Sequence, residues 1–320
     1  MRPGMCLPPV ALLTLAGCAT TFHAGAPEGA VAVIAHRGAS AYAPENTLAA
    51  FSKAFEMGAD WFELDCHLTK DGKLAVIHDA DLKRVANEDP RVVPLSTLAD
   101  LQQADVGAWK GAEFAGERIP SLEEALDFAR GRIGVYLEVK SDWPEARLTE
   151  KLVALAQDWQ GDEASLRRTM MREIEADGTR NLALTREILK AVKARRMKDQ
   201  VVLQSFSPIV CVIALAEAPE LRTEFLGADD PEKPGQWERF VMFGSRIGAA
   251  GFNVSKDSVT AERIAAFHAA GKTSAAWTVD DPAEMARCVD CGVDALITNR
   301  PDLCIETLRT LGKYPERGRS

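Results

Sequence analysis

Short apolar runs alternate with helical patterns of apolar residues along most of the chain. Residues 31–35 form a continuous apolar run, which is typical of a strand buried on both faces. Similar runs recur at intervals that leave room for a helix between them. Apart from the return strand of one hairpin, the predicted strands are 31–35, a strand opening at Trp61, 133–137, 201–206, 223–226, 251–254, 273–279 and 295–298.

The segments between these strands are mostly helical. Residues 46–57 have helical apolar spacing ended by Gly58, and Ser121 with Glu124 forms the capping box of another helix. Eight strands with helical crossovers predict a parallel sheet closed into a (β/α)8 TIM-type barrel, which is an α/β fold. A doubly wound open sheet is the alternative. It is disfavoured because no glycine-rich dinucleotide fingerprint follows the first strand.

Two segments depart from this alternation. Residues from about 80 to 120 are polar with scattered apolar positions, and we expect a small insertion packed over the functional site. Residues 144–158 and 165–198 are helical by composition, with a break expected at Gly178. Together they are longer than one crossover requires, and nothing in them indicates chemistry.

One hairpin carries several candidate functional residues. Asp71-Gly72 is a strong two-residue turn signal between two apolar strands. That turn predicts a register in which Asp65 lies opposite His78. Because side chains alternate along a strand, Glu63, Asp65 and His78 would then point to one face.

The first residues have the layout of an export signal. Arg2 precedes an apolar run, and residues 15–18 (Leu-Ala-Gly-Cys) resemble the bacterial lipobox, in which the cysteine is lipidated. We expect an exported lipoprotein anchored through Cys18, facing the periplasm from the outer membrane. An ordinary cleaved signal and a free periplasmic protein are the alternative. The predicted organisation is a signal at 1–17, a tether at 18–29, a barrel domain at 30–314 and a polar tail at 315–320.

Composition and charge narrow the classes of partner. The chain of 320 residues is 47% hydrophobic and 27% charged, which is typical of a globular protein with a sizeable core. Its net charge of -9 argues against nucleic acid and anionic membrane surfaces, since both require basic patches. An anionic substrate would therefore need a local cluster of cations or a bound metal.

Polar residues follow the ends of the predicted strands. They are His36 with Arg37, Glu63 with Asp65, Glu138 with Lys140, Gln204, Trp277, and residues 298–300. In a parallel barrel the carboxyl ends of all strands meet at one face, where active sites lie. We therefore expect one site built from these side chains. His67 is excluded because alternation turns it away from Asp65.

Three of these residues are carboxylates that could bind one divalent cation. Glu63, Asp65 and Glu138 offer only oxygen ligands, which favours Mg²⁺ or Ca²⁺ over zinc. Each carboxylate alone has another interpretation, since a sheet can expose a polar face and Glu138 could pair with Lys140 structurally.

Histidines and basic residues complete the set. His36 and His78 titrate near neutral pH and could act as general base and general acid. Arg37 and Lys140 supply fixed positive charge suited to a phosphate group. Phosphodiester cleavage needs this combination, because charge builds on the phosphoryl oxygens while the leaving oxygen must be protonated.

Several motifs occur in a fixed order along the chain. They are 36–38 (His-Arg-Gly), 44–47 (Pro-Glu-Asn-Thr), 63–65 (Glu-Leu-Asp), 78–79 (His-Asp), 138–140 (Glu-Val-Lys), 204–206 (Gln-Ser-Phe) and 277–279 (Trp-Thr-Val). With this set the chain resembles the glycerophosphodiester phosphodiesterase family, over residues from 31 to about 311.

The resemblance implies hydrolysis of a small-molecule glycerophosphodiester to glycerol 3-phosphate and an alcohol, after attack by the glycerol 2-hydroxyl or by water. It implies a (β/α)8 barrel with an insertion that shapes the glycerol side of the site. The implied roles are acid and base for His36 and His78, binding of Mg²⁺ or Ca²⁺ by Glu63, Asp65 and Glu138, and contact with phosphate or substrate by Arg37, Lys140, Gln204 and Trp277.

Two positions depart from the family pattern. The family usually has Asp where this chain has Asn299, and often has Asn where this chain has Asp280. Neither position is among the residues assigned to acid–base or metal roles, so we expect these changes to affect substrate fit and local hydrogen bonding. Two rival functions are the same reaction on a lysophospholipid and phosphodiester binding without catalysis.

Overall fold

The computed structural model describes residues 29–141 and 145–315. The expected signal, Cys18, the tether up to residue 28 and residues 316–320 of the expected tail lie outside the described residues. Among the helices of the described residues, none is both long and apolar enough to cross a membrane.

In the described part of the chain, nine strands form one sheet. They are β1 (Ala32–Ala35), β2 (Trp61–Leu68), β3 (Leu74–Val76), β4 (Gly134–Val139), β5 (Val201–Ser205), β6 (Thr223–Gly227), β7 (Gly251–Ser255), β8 (Thr273–Trp277) and β9 (Ala295–Thr298). All strands except β3 run parallel, and β1 pairs with both β2 and β9, so these eight strands close into a ring. The predicted (β/α)8 barrel is confirmed.

Helices occupy the connections between the strands, and one more helix follows the last strand. They are α1 (Leu48–Met57), α2 (Leu98–Leu101), α3 (Leu122–Ala129), α4 (Ala146–Asp158), α5 (Glu163–Asp177), α6 (Arg180–Ala194), α7 (Pro208–Glu217), α8 (Gln236–Ile247), α9 (Ala261–Ala269), α10 (Pro282–Asp290) and α11 (Pro301–Thr310). The capping box of Ser121 and Glu124 is present, as predicted. Gly178 ends α5 in a left-handed conformation with φ of 73°, which confirms the predicted break.

The parallel register aligns polar side chains at one end of the ring. Asp65 lies beside Glu138, and Glu138 lies beside Gln204 on the next strand. Ala35 pairs with Thr298, so His36 and Asn299 leave their strands at the same level. The closing pair of strands therefore brings the two ends of the barrel domain together at that face.

The predicted insertion has a small core of its own. Its apolar side chains Leu82, Val93, Leu101 and Ile119 are buried together, separately from the core that lies between sheet and helices. The insertion also contacts the loop after β1, since Lys110 Nζ donates to the carbonyl oxygen of Ser40 at 2.7 Å. Its predicted position over the barrel end is thus supported by a direct contact.

The predicted hairpin register is wrong. Leu68 pairs with Leu74, which places Asp65 level with Ile77 and not with His78. Three residues, 70–72, form the loop. Thr69 Oγ1 stabilises it by donating to Asp71 Oδ1 at 2.6 Å and by accepting from the backbone N–H of Lys73 at 3.0 Å. The side-chain bonds of Thr69 therefore favour a longer loop than the Asp-Gly signal suggests.

Contacts outside the hairpin pairing position His78 in the site. β3 ends at Val76, where the chain leaves the sheet, and Ile77 is buried in the core of the insertion. The carbonyl oxygen of His78 lies 2.9 Å from Nε2 of His67. The position of His78 thus depends on the anchoring of Ile77 and His67, and not on the pleat of the hairpin.

Candidate active site

The polar strand ends surround a cavity of about 220 Å³ at the carboxyl-terminal face of the ring. All predicted site residues except Asp65 line it: His36, Arg37, Glu63, His78, Glu138, Lys140, Gln204 and Trp277. Asp65 is buried and contacts two of them, with Oδ2 3.4 Å from Arg37 Nε and Oδ1 3.5 Å from Lys140 Nζ. The sequence-predicted residues therefore come together in one place.

The loop after β1 holds the carboxylates of β2. The backbone N–H of Arg37 donates to Glu63 Oε2 at 2.9 Å, and Asn46 Nδ2 donates to Asp65 Oδ2 at 2.8 Å. Both Arg37 and Asn46 have positive φ, of 55° and 58°. Asn tolerates this left-handed conformation better than most residues, which explains its use at a position where the backbone must turn toward β2.

The pKa values of the three buried carboxyl groups are shifted in opposite directions. Burial, Asp65 and Glu138 raise the pKa of Glu63 well above its ordinary value. Burial and Asp65 likewise raise the pKa of Glu138 to about 7. Although burial opposes the change, Lys140 and Arg37 lower the pKa of Asp65 to about 2. Without a further cation, ionisation of all three carboxylates near neutral pH is unfavourable, because buried like charges repel each other.

The same carboxylates fit a divalent cation. One oxygen from each of Glu63, Asp65 and Glu138 lies within 4.8 Å of the others. Among the described residues, neither Glu63 Oε1 nor Asp65 Oδ1 accepts a hydrogen bond, although both are buried. Orphaned acceptors of this kind, in an oxygen-only set, are suited to Mg²⁺ or Ca²⁺.

Two basic side chains border the carboxylates and reach the cavity. Lys140 Nζ lies 2.7 Å from Glu138 Oε1. Arg37 NH1 lies 2.8 Å from Glu45 Oε1, and its side chain keeps 17% of its surface exposed. Positive charge thus remains available to an anion that enters the cavity.

His36 is oriented through a chain of hydrogen bonds from β8 and β9. Its Nδ1 lies 2.8 Å from Asn299 Oδ1. The amide nitrogen of Asn299 donates to Asp280 Oδ2 at 2.6 Å, and Ser40 Oγ donates to Asn299 Oδ1 at 2.7 Å. The amide oxygen therefore faces His36, so Nδ1 carries the proton and Nε2 has the free lone pair.

These contacts show where the two departures from the family pattern act. Asn299 and Asp280 are expected to affect local hydrogen bonding, and Asn299 bonds to His36 while Asp280 bonds to Asn299. Spacing along the chain gives no sign of this, because Asn299 lies 263 residues from His36. Burial and the adjacent Arg37 lower the pKa of His36 to about 4, which keeps the ring neutral and able to accept a proton.

His78 has a different partner. Its Nδ1 lies 2.6 Å from Asp79 Oδ1, and Arg84 Nε donates to Asp79 Oδ2 at 2.7 Å. Arg84 also donates to Glu45, so a residue of the insertion links both sides of the site. Burial lowers the pKa of His78, while Asp65 and Asp79 oppose the shift. Arg84 was not among the sequence candidates, because the polar insertion gave no signal for one residue over another.

The opposite side of the cavity is aromatic. Trp277 and Phe206 meet edge to face with ring centroids 5.5 Å apart. Gln204 is held by Asn253, whose Nδ2 donates to Gln204 Oε1 at 2.7 Å, and Trp277 Nε1 donates to the Asn253 carbonyl oxygen at 3.1 Å. One buried asparagine therefore positions both predicted contact residues on this side.

Comparison with known proteins adds a family to this geometry. The sequence model of the glycerophosphoryl diester phosphodiesterase family matches residues 36–303. A glycerophosphodiester phosphodiesterase from Caldanaerobacter subterraneus subsp. tengcongensis is 30% identical over 280 residues, covering 88% of this chain and 98% of the relative. One from Bacillus subtilis is 29% identical over 281 residues, covering 85% of each chain.

Solved structures agree. A phosphodiesterase from Oleispira antarctica, in complex with the product sn-glycerol-3-phosphate, is 26% identical with a TM-score of 0.69, covering 88% of this chain and 97% of that one. A glycerophosphodiester phosphodiesterase from Agrobacterium tumefaciens is also 26% identical with a TM-score of 0.61, covering 86% and 98% of the two chains. The chain is therefore an enzyme of the glycerophosphoryl diester phosphodiesterase family.

Proposed function

We propose that this protein hydrolyses small glycerophosphodiesters to glycerol 3-phosphate and an alcohol, with a divalent cation, Mg²⁺ or Ca²⁺, held by Glu63, Asp65 and Glu138. The observation that carries the proposal is the convergence of a carboxylate triad, two histidines and two basic residues on one cavity of about 220 Å³. Family membership and the product-bound relative support the substrate class.

His36 is assigned as the general base. Its Nδ1 proton is committed to Asn299, which leaves Nε2 to accept a proton from the attacking hydroxyl. That hydroxyl belongs either to water or to carbon 2 of the substrate glycerol. In the second case the alcohol leaves as a cyclic phosphodiester forms, and water must then open that ring, with the two histidines in exchanged roles, to give glycerol 3-phosphate. The lowered pKa of His36 supports this role, because a neutral ring is required before the reaction begins.

His78 is assigned as the general acid. The carboxylate of Asp79 at 2.6 Å stabilises the protonated ring, which can then give a proton from Nε2 to the leaving alcohol. Arg84 fixes the other oxygen of Asp79 and so keeps that carboxylate in place.

Arg37 and Lys140 bind the phosphoryl oxygens as negative charge develops on them. A bound divalent cation would act as a Lewis acid toward the same oxygens and would neutralise the crowded carboxylates. Gln204 and Trp277 border the space in which the rest of the substrate lies. Together these groups bind and orient the diester between base and acid.

The cellular setting follows from the leader sequence. The lipobox at residues 15–18 supports export and anchoring of the protein through lipidated Cys18, so that the enzyme would face the periplasm. Labelling with a radioactive fatty acid tests this proposal, since Cys18→Ser should prevent incorporation of label.

The decisive test of the activity is an assay of the purified protein on glycerophosphoethanolamine and glycerophosphocholine, with chelator or with added Mg²⁺ or Ca²⁺. We expect turnover only with added cation, and His36→Ala should lose activity while its thermal unfolding stays close to that of the parent protein. Undiminished turnover by His36→Ala would contradict the assignment of the base. Rescue by zinc alone would contradict the oxygen-ligand site.

A further inference from the structure

A second cavity, of about 480 Å³, adjoins the catalytic one. Phe206 and Leu226 line both cavities, so the two spaces meet at these side chains. Phe206 keeps 46% of its surface exposed although it is a large apolar residue. An exposed aromatic ring between a reaction site and a larger cavity is typical of a surface that a ligand covers.

The walls of this cavity include the first helix of the long segment after β4. Thr149 and Val153 of α4 form one wall, and Phe240 and Phe243 of α8 form another. The two helices are joined at the rim by Arg239 NH2 and Glu150 Oε1, 2.8 Å apart. One helix of a segment in which the sequence indicates no chemistry therefore contributes a wall to an open cavity beside the reaction site.

The strand end below this cavity is adapted to the aromatic wall. Gly227 ends β6, and a Cβ atom placed there would lie 2.5 Å from the ring of Phe240. Glycine at this position lets the ring pack directly against the strand end. The aromatic wall is thus a fitted part of the barrel and not a gap between loosely packed helices.

The lining residues of the second cavity indicate which class of ligand it suits. Most of the described lining is apolar, and its charged members are Lys233 and Arg239. These two are paired with Asp230 at 2.9 Å and with Glu150, respectively. Because no carboxylate is among the described lining residues, a cationic head group such as choline would find no ion-pair partner in the lining itself. A hydrocarbon chain suits this surface.

We propose that the second cavity binds a hydrocarbon chain that belongs to the phosphodiester substrate. This inference rests on the proposed function, because the chain must be attached to a diester bound between His36 and His78. A cavity of this volume is within the range that proteins use for medium-sized ligands. The chain can be carried by the leaving alcohol or by the glycerol, as in a lysophospholipid, and both bring the same chemistry to Phe206.

Chain length is the variable that tests the inference. The probes are glycerophosphoethanol, glycerophosphobutanol and glycerophosphooctanol for the alcohol side, with glycerophosphoethanolamine and its hexanoyl and octanoyl monoesters for the glycerol side. All are used below their micelle concentration. In at least one series, kcat/KM should rise by roughly fourfold for each methylene that becomes buried, until the cavity is full.

The outcomes separate the two proposals. A rise in one series supports the inference and names the side of the substrate that carries the chain. Turnover of the short probes with no rise in either series overturns the inference and leaves the proposed function intact. Failure to cleave any of the probes overturns both.

A matched pair of variants on α4 locates the binding site. Thr149→Trp would fill the cavity from its wall, whereas Ala154→Trp adds the same side chain at an exposed position of the same helix. Thr149→Trp should flatten the chain-length dependence while turnover of the short probe stays within about twofold, and Ala154→Trp should retain the dependence. Equal loss on short and long probes would indicate a structural effect and overturn the assignment of this cavity. If Thr149→Trp unfolds, Thr149→Phe repeats the test with a smaller ring.

Discussion

Asn299 presents its amide oxygen to Nδ1 of His36 at 2.8 Å, and Asp280 determines that orientation by accepting from the amide nitrogen at 2.6 Å. Rotation of the amide by 180° about its last bond would set N–H against N–H at His36 and oxygen against oxygen at Asp280. The tautomer of His36 therefore depends on a carboxylate that does not touch it. The two departures from the family pattern act as one unit.

The first prediction concerns this unit. Asn299→Asp would place a carboxylate beside Nδ1 and favour the imidazolium form, so the pKa of His36 should rise by roughly 1–3 units. The base must be neutral to act, so the acidic limb of the profile of kcat/KM against pH should move to higher pH. An unmoved limb would show that His36 is not the group that titrates there. Asp280→Asn combined with Asn299→Asp is the control, because it removes the repulsion between two adjacent carboxylates while keeping the new partner of His36.

The two histidines should respond differently to the leaving group. A diester with a p-nitrophenolate leaving group needs little protonation, whereas an alcohol does. His78→Ala should therefore lose about 10²–10⁴-fold in kcat/KM on glycerophosphocholine and much less on the nitrophenyl diester. His36→Ala should lose activity on both, since both need the base. The reverse pattern would exchange the assigned roles.

Protonation of the carboxylate triad should make the stability of the metal-free protein depend on pH. The pKa of Glu138 is raised to about 7 in the folded state by burial and Asp65, so the folded protein binds more protons than the unfolded chain between its ordinary pKa of 4.5 and about 7. The free energy of unfolding should consequently fall as pH rises through this interval. Thermal unfolding of chelated protein between pH 5 and 8 measures this fall.

Added Mg²⁺ or Ca²⁺ should reverse the loss of stability at the upper end of that range, because the cation binds the ionised triad. In Glu63→Gln, one of the three side chains stays neutral at every pH. The chelated variant should therefore lose less stability than the parent protein as pH rises, and should gain less from added cation. A cation-induced gain as large as that of the parent protein would argue against Glu63 as a ligand.

The hairpin loop should affect stability more than activity. Gly72 has φ of 72°, with open space at the point where a Cβ atom would lie, so Gly72→Ala would meet backbone strain without a clash. We expect a loss of about 1–2 kcal/mol in the free energy of unfolding. Gly72→Asn, which tolerates this conformation better, should recover part of the loss. Turnover should be nearly unchanged in both variants, because Ile77 and His67 position His78. A large loss of turnover would show instead that the turn determines the position of His78.

The fold could be predicted to a large extent because each of its elements has a local signal. The capping box at Ser121 and the break at Gly178 are encoded within a few residues, and the alternation of strand and helix follows from apolar spacing. The candidate site was predictable for a related reason. Polar residues such as Glu63 and Glu138 stand at the ends of apolar runs, and the closed ring brings those ends together.

Contacts between distant segments explain what could not be predicted. The bond from His36 to Asn299 spans 263 residues, and the pair of Glu150 with Arg239 spans 89. No local pattern marks either pair. The predicted register of the hairpin is wrong although only a local contact is involved. The side chain of Thr69 bonds across the loop and overrides the preference of the Asp-Gly pair for a two-residue turn.

Closure of the ring between β1 and β9 has a consequence for how activity is acquired during biosynthesis. His36, the proposed general base, follows the first strand, and Asn299, which orients it, follows the last strand, so a nascent chain cannot form this contact before nearly all of the domain has been made. Contacts with such sequence separation form late, since loop closure must be achieved before they stabilise the chain. The catalytic centre is therefore completed only when the domain itself is, and we expect partly folded chains to lack hydrolytic activity toward the lipids and metabolites around them.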